Sequence, residues 1–324
     1  MITKEIGIDL GSNNTRIYIK NENKIIKFKS LLAIDRNQNE ITCIGEEASK
    51  YSEKEPENII LKRPIKKGKI DNVELVVEMI REVLKKNKVK NSVVNPNILI
   101  SYDRDLTEVE KNALIEVMNE LGTKNIYVMD IIKLIAFGIS MDISRSEGNM
   151  IIDMGYETTR IGIVSSNNIV NYKTVDVGGN SFNNSIIDHL KNKYKTLIGN
   201  SNAENIKMRI NDKKIVIEGR NQVTGSPSKI EVTSEELKEC MKKIVIKLTR
   251  EIKNMLEFAS PEIFKDISNK GIVITGGGSK LHFLREMMEN ELNIPVLEVI
   301  NSEDAIINGI KYVLDYNIDK STKI

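Results

Sequence analysis

Two short stretches of the chain carry the same side chains at the same spacing. Asp9-Leu10-Gly11 and Thr15-Arg16-Ile17 are separated by three residues, as are Asp153-Met154-Gly155 and Thr159-Arg160-Ile161. Each Asp ends an apolar run and each Arg begins another, so each copy reads as a β-hairpin with a small, polar tip. Such a tip can hold a polyphosphate. Gly11 and Gly155 let the backbone come close, and successive N–H groups bind phosphate oxygens. Ser12, Asn13, Asn14, Thr15, Thr158 and Thr159 add side-chain donors. Asp9 and Asp153 stand where a Mg²⁺ would sit, held through its water shell, since that ion keeps several waters and takes few carboxylates. Singly, each Asp reads better as a turn-capping carboxylate; the matched pair favours the metal. Gly276-Gly277-Gly278, between an apolar run and a helical pattern, is a third place where backbone amides could meet a nucleotide. Alone it is a weak signal. Neither G-x-x-x-x-G-K-[ST] nor G-x-G-x-x-G is present, which removes support for P-loop and Rossmann sites.

The elements that must position these groups alternate. Strand patterns at 6–11, 15–19, 97–101 and 126–129 are interspersed with helical patterns at 73–84, 106–121 and 133–139. Thr107 and Glu110 have the capping-box spacing. Polar residues 142–149 mark a boundary, after which the second Asp hairpin opens the second half. There, helices are expected at 182–190, 203–210 (with Glu204 and Lys207), 233–258 and 302–314, and strands at 215–217, 230–232, 271–275 and 296–299. The pattern is α/β, and two copies of one hairpin indicate a duplicated domain rather than a solenoid.

Composition narrows the field. The 324 residues include 48 Lys or Arg against 46 Asp or Glu, so the net charge of +2 argues against a dedicated nucleic-acid binder. Two cysteines cannot form a disulfide framework, and two histidines exclude a histidine-rich metal site. No apolar run is long enough to span a bilayer. Met1-Ile2-Thr3-Lys4-Glu5 leads straight into a strand pattern, so no secretory signal is expected and the expected location is the cytoplasm.

The three glycine-bearing elements, in this order, resemble the phosphate and adenosine motifs of the actin-like ATPase superfamily. The nearer likeness is to the MreB family of bacterial actins, and it runs nearly end to end. Outside the cleft it includes Ile44-Gly45-Glu46-Glu47-Ala48, Arg63-Pro64-Ile65-Lys66-Lys67-Gly68, Ala203-Glu204-Asn205-Ile206-Lys207 and Ile230-Glu231-Val232-Thr233-Ser234-Glu235-Glu236. The resemblance implies a ribonuclease H-like duplicated actin fold of two lobes. Lobe I is 1–142 plus 310–324 with a small subdomain at about 32–69. Lobe II is 143–309 with a small subdomain at about 180–245. It further implies ATP and Mg²⁺ in the cleft, with Glu204 and Lys207 against adenosine. From spacing alone, those two residues are equally well read as a surface ion pair. Self-assembly into paired filaments on the inner face of the membrane is implied too, with membrane-bound shape proteins and MreB paralogues as partners and no specific nucleic acid.

The departures from the family pattern bear on hydrolysis. Tyr156 and Glu157 stand where the family's second phosphate loop has glycines. Asp130-Ile131-Ile132 replaces a Glu-Glu-Pro run whose carboxylate positions the attacking water, and an isoleucine cannot orient or deprotonate water. Asn180 stands where the family often has Asp. The remaining catalytic candidates are Asp130, Glu157 and Thr158. The expectation is a nucleotide-binding, filament-forming paralogue with weak or absent hydrolysis. The alternatives are an active ATPase with dynamic filaments serving shape or DNA segregation, and a non-polymerising regulator that co-assembles with an active paralogue. A sugar kinase or chaperone comes after these. Lipid contact is assigned to the segment 85–96, where Val93 and Val94 sit among Lys85, Lys86, Lys88 and Lys90. A solvated loop is an equal reading of that segment.

Overall fold

The computed structural model describes residues 5–52, 56–87, 89 and 95–318. Val93 and Val94 lie outside the described residues. Two five-stranded sheets dominate. The first runs Lys24–Lys29, Asn14–Ile19, Glu5–Leu10, Asn97–Tyr102, Asn125–Asp130. The second runs Asn168–Val175, Thr159–Ser165, Asn149–Met154, Ile272–Thr275, Val296–Glu298. In each, the first three strands along the chain form an antiparallel meander, and the last two add in parallel on its far side. The duplication read from two hairpins therefore extends to the whole sheet. Near-continuous burial of the central strands explains why they read as unbroken apolar runs.

Each half also carries a small three-stranded unit. Leu32–Asp35, Ile41–Ile44 and Ile59–Lys62 form one, and Thr196–Leu197, Lys214–Asn221 and Pro227–Thr233 the other. The helix Glu108–Glu120 starts at a complete Thr107–Glu110 capping box. The helix Pro261–Lys270 was not anticipated, although Ser260 caps it and Pro261 occupies its first turn. Among the described residues no helix is long and apolar enough to cross a membrane.

The halves meet at two crossing helices, Ile131–Gly138 and Ala305–Asp315. A Cβ on Gly309 would lie 1.8 Å from the Leu134 carbonyl oxygen, and one on Gly138 1.9 Å from that of Ala305. Only glycine at both positions lets the backbones approach this closely. Ile132 of the first helix presses on Gly162 in the second sheet, while Ile307, Ile310 and Leu314 of the last helix pack with Tyr18, Leu99 and Met129 of the first. The closing helix is one rod from Ala305, so the expected return to lobe I at 310 falls inside it.

Candidate functional site

The two hairpin tips face each other across a cleft of about 350 Å³ between the sheets. Their registers match: Asp9 pairs with Arg16 and Leu10 with Thr15, as Asp153 pairs with Arg160 and Met154 with Thr159. Gly11, Ser12, Asn13, Asn14, Gly155, Thr158, Gly276, Gly277 and Gly278 all line the cleft. Both hairpin turns are tight. A Cβ on Gly11 would lie 2.5 Å from the Asn14 carbonyl oxygen, and one on Gly155 3.1 Å from that of Thr158.

Thr15 and Thr159 do not line the cleft. Both are fully buried; Thr15 Oγ1 shares a 2.9 Å hydrogen bond with Ser30 Oγ, and Thr159 Oγ1 donates to the Val177 carbonyl at 2.7 Å. Their hydroxyls fasten the hairpins rather than reach a ligand. Gly276 and Gly278 also answer first to protein contacts. A Cβ on Gly276 would lie 2.4 Å from Met154 O, and one on Gly278 2.3 Å from Met154 Cγ; Gly277 alone opens onto empty space. The third glycine element is thus packed onto the second Asp strand, which draws all three elements to one place.

Asp9 and Asp153 are buried at the cleft floor, and each has a guanidinium beside it. Arg16 Nη1 lies 3.6 Å from Asp9 Oδ2, and Arg160 Nη1 3.2 Å from Asp153 Oδ2. Ser101 Oγ donates to Asp9 Oδ1 at 3.2 Å. Burial pushes the Asp9 carboxyl above its ordinary range; Arg16 opposes this and the Asp153 charge adds to it. Two carboxylates on facing turns suit a hydrated Mg²⁺ whose other ligands are water and phosphate. Among the described residues no group of three or more His, Cys, Asp or Glu could hold a metal on its own.

A hairpin absent from the expected site closes one side. Ile65–Lys66 and Lys69–Ile70 are joined by Lys67 and Gly68, whose φ of 51° and 74° define the two-residue turn that favours the strand twist. Gly68 N donates to Ser12 Oγ at 2.9 Å, and Lys67 N to Glu157 Oε2 at 2.5 Å. The tip thus touches both phosphate-type turns. Lys67 Nζ also reaches Asp176 at 2.6 Å. Tyr156 lines the cleft as well: its hydroxyl donates to Asn200 Oδ1 at 3.3 Å, and Arg63 sits over its ring at 5.4 Å. Gly178 and Gly179 admit this loop, with Gly179 N donating to Gly155 O at 3.0 Å and Asn180 N to Tyr156 O at 2.7 Å.

Glu204 and Lys207 do line the cleft, and the ion pair between them is buried at its Lys207 end and exposed at its Glu204 end. Lys207 is 3% exposed; its Nζ donates to Glu204 Oε2 at 2.7 Å and to Gly179 O at 3.1 Å. Burial lowers the Lys207 pKa, with Glu204 opposing.

Asp130 does not line the cleft. Its Oδ1 accepts the Ile132 N–H at 2.8 Å and caps the helix Ile131–Gly138, while its Oδ2 accepts Arg104 Nε at 2.7 Å. It is therefore an N-cap and ion-pair partner, not a group aimed at a reacting water. The residues missed from sequence are Arg16 and Arg160, the Lys67–Gly68 tip, Lys280 and Glu303. The two arginines were visible in the repeat itself.

Comparison with known proteins follows the same lines. The sequence model of the MreB/Mbl protein family matches residues 3–322. The cell shape-determining protein Mbl of Bacillus subtilis is 34% identical over 330 residues, covering 100% of this chain and 99% of that protein. Among solved structures, MreB 5 of Spiroplasma citri bound to AMPPNP superposes with a TM-score of 0.94 at 26% identity, over 99% of this chain and 100% of that one. The MamK double helical filament shares the fold at a TM-score of 0.78 and 17% identity, over 97% of this chain and 99% of that one.

Proposed function

The chain belongs to the MreB/Mbl family, and on that premise we propose that it is a cytoskeletal protein that binds ATP with Mg²⁺ in the interlobe cleft and assembles with itself into filaments serving cell shape. Nucleotide binding is supported by the matched hairpin tips and by the AMPPNP and ADP that MreB 5 holds. Gly11, Ser12, Asn13, Asn14, Gly155 and Thr158 would cradle the phosphates, Glu204 and Lys207 would meet the nucleoside, and Asp9 and Asp153 would hold the hydrated ion. That ion would neutralise phosphate charge. The assigned location is the cytoplasm at the inner face of the membrane, beside MreB paralogues and membrane-bound shape proteins.

Weak or absent hydrolysis completes the reading, and one observation carries it. Every carboxylate lining the cleft among the described residues is engaged by a protein donor. Asp9 is held by Ser101 and Arg16, Asp153 by Arg160, Glu157 by Lys67 N, Glu204 by Lys207 and Glu303 by Lys280. A general base needs a carboxylate within reach of the attacking water. Electron microscopy of the purified chain with Mg-ATP tests the assembly part: filaments are expected. Their absence at every concentration would favour the non-polymerising regulator.

A further inference from the structure

The guanidinium of Arg63 sits over the second phosphate-type turn and has no carboxylate partner among the described residues. We infer that Arg63 is a phosphate-binding residue of the cleft, held in place by Tyr156 until a polyphosphate takes up its donors. The inference rests on the ATP-binding reading above.

Arg63 follows the strand Ile59–Lys62 in the first half of the chain, and Tyr156 belongs to the turn after Asn149–Met154 in the second. Arg63 Cζ lies 5.4 Å from the centroid of the Tyr156 ring, which lines the cleft. Its Nη1 donates to Asn13 Oδ1 at 3.3 Å and to Ser12 O at 3.4 Å, and both of those residues line the cleft at the first turn. The guanidinium thus touches both of the turns between which a polyphosphate would lie. These partners are neutral and the two hydrogen bonds are long. Charge-assisted bonds to phosphate are shorter and about twice as strong, and a planar guanidinium matches paired phosphate oxygens. A polyphosphate therefore outcompetes the present partners. Tyr156 is braced at its far end: its hydroxyl donates to Asn200, which in turn donates to Asn180 Oδ1 at 2.7 Å and accepts from Asn183 Nδ2 at 2.9 Å. The glycine of the family pattern would offer Arg63 no such platform.

The charges of the cleft favour this role. Among the described residues every cation that lines it is already paired with a carboxylate. Arg16 has Asp304 and Asp9, Arg160 has Asp103 and Asp153, Lys207 has Glu204, and Lys280 has Glu303. Two arginines against four carboxylates leave the floor with a negative excess. Glu157 adds to it, since its partner at the hairpin tip is an amide. An incoming polyphosphate needs positive charge from Mg²⁺ and from a side chain that is not already neutralised. Arg63 is such a side chain, and it is half-buried, so solvent screens it only in part.

The test is competition against a fluorescent ATP analogue in Mg²⁺, read as Kd for ATP and for adenosine. Arg63→Gln should weaken ATP by about tenfold or more and leave adenosine, which has no phosphate, within about twofold of wild type. Arg63→Lys keeps the charge without the paired donors and should fall between the two. Because Arg63 has no carboxylate partner, neither variant strands a buried charge. Tyr156→Leu removes the ring and should weaken ATP by about threefold, with no further loss when combined with Arg63→Gln. Tyr156→Phe keeps the ring and should bind like wild type. Unchanged ATP binding in Arg63→Gln, or equal losses for ATP and adenosine, would overturn the inference and make Arg63 a brace between the halves, with the ATP reading intact. Losses that add in full in the double variant would overturn the positioning role of Tyr156. A wild type that binds no ATP in Mg²⁺ would overturn both readings.

Discussion

Replacing Glu157 distinguishes a fastening role from a catalytic one, because the two predict effects of different size on different observables. Glu157 Oε2 accepts the Lys67 amide at 2.5 Å, tying the second phosphate-type turn to the hairpin of the other lobe. A hydrogen bond to a charged group contributes about 1.5–3 kcal/mol when well buried. Glu157 is half-exposed, so solvent reduces this to about 1 kcal/mol. If that bond holds the cleft shut, Glu157→Ala should speed release of a bound nucleotide by about fivefold. Glu157→Gln keeps an acceptor oxygen for the Lys67 N–H and should release at close to the wild-type rate. A residue that oriented or deprotonated the attacking water would instead carry roughly 10²–10⁴-fold in hydrolysis. The assay is stopped-flow release of a fluorescent ADP analogue, paired with long-duration phosphate release on the same samples. Fivefold faster release in Glu157→Ala with phosphate release unchanged is the expected result. A fall of about a hundredfold in phosphate release for both variants, with unaltered nucleotide release, would refute the reasoning and make Glu157 the base.

Two further substitutions probe the frame around the cleft. Gly309→Ala should gain about 1 kcal/mol of helix propensity. It should lose more to the overlap of its Cβ with Leu134 O, 1.8 Å away, which is a backbone atom and cannot rotate aside. A thermal melt should drop by several degrees, and an equal or higher midpoint would contradict the close crossing. Asp103→Asn tests the buried bridge through pH. Burial alone would raise the Asp103 pKa, but the Arg160 guanidinium and the hydrogen bonds to it hold it below its ordinary value. A carboxylate whose pKa is lowered on folding adds stability that is fully present above its unfolded value of about 3.9 and is lost as pH falls through the folded one. The gap between wild type and Asp103→Asn in urea unfolding should therefore be constant from neutral pH to about pH 5 and close below that range. A gap independent of pH would mean that the charge of Asp103 contributes nothing.

The parts of the molecule legible in sequence were those fixed by local pattern. The two Asp-Gly-Thr-Arg hairpins, the Thr107 capping box and the long helix Ser234–Glu257 depend on neighbours within a few residues. Because the hairpins recur with one spacing, the duplication was legible too, whereas their register and their place in the sheets came only with the structure. Long-range contacts were illegible. Arg160 finds Asp103 across 57 residues, and Lys67 finds Glu157 across 90. Nothing in the local sequence of Lys67-Gly68 announces that its turn bridges both lobes. Asp130 was misassigned for a related reason. It stands where the family has a catalytic Glu-Glu-Pro run, but an aspartate before a helix has a nearer use in capping it. Thr15 and Thr159 were read as ligand donors because hydroxyls at a phosphate turn suit that role; the pleat points them inward, to Ser30 and the Val177 carbonyl.

The most direct test of the central claim measures phosphate release and sedimentation together on purified protein with Mg-ATP. The account predicts polymer in the pellet with little or no phosphate released, because the carboxylates of the cleft are already engaged. Phosphate release that rises in step with polymer would contradict it.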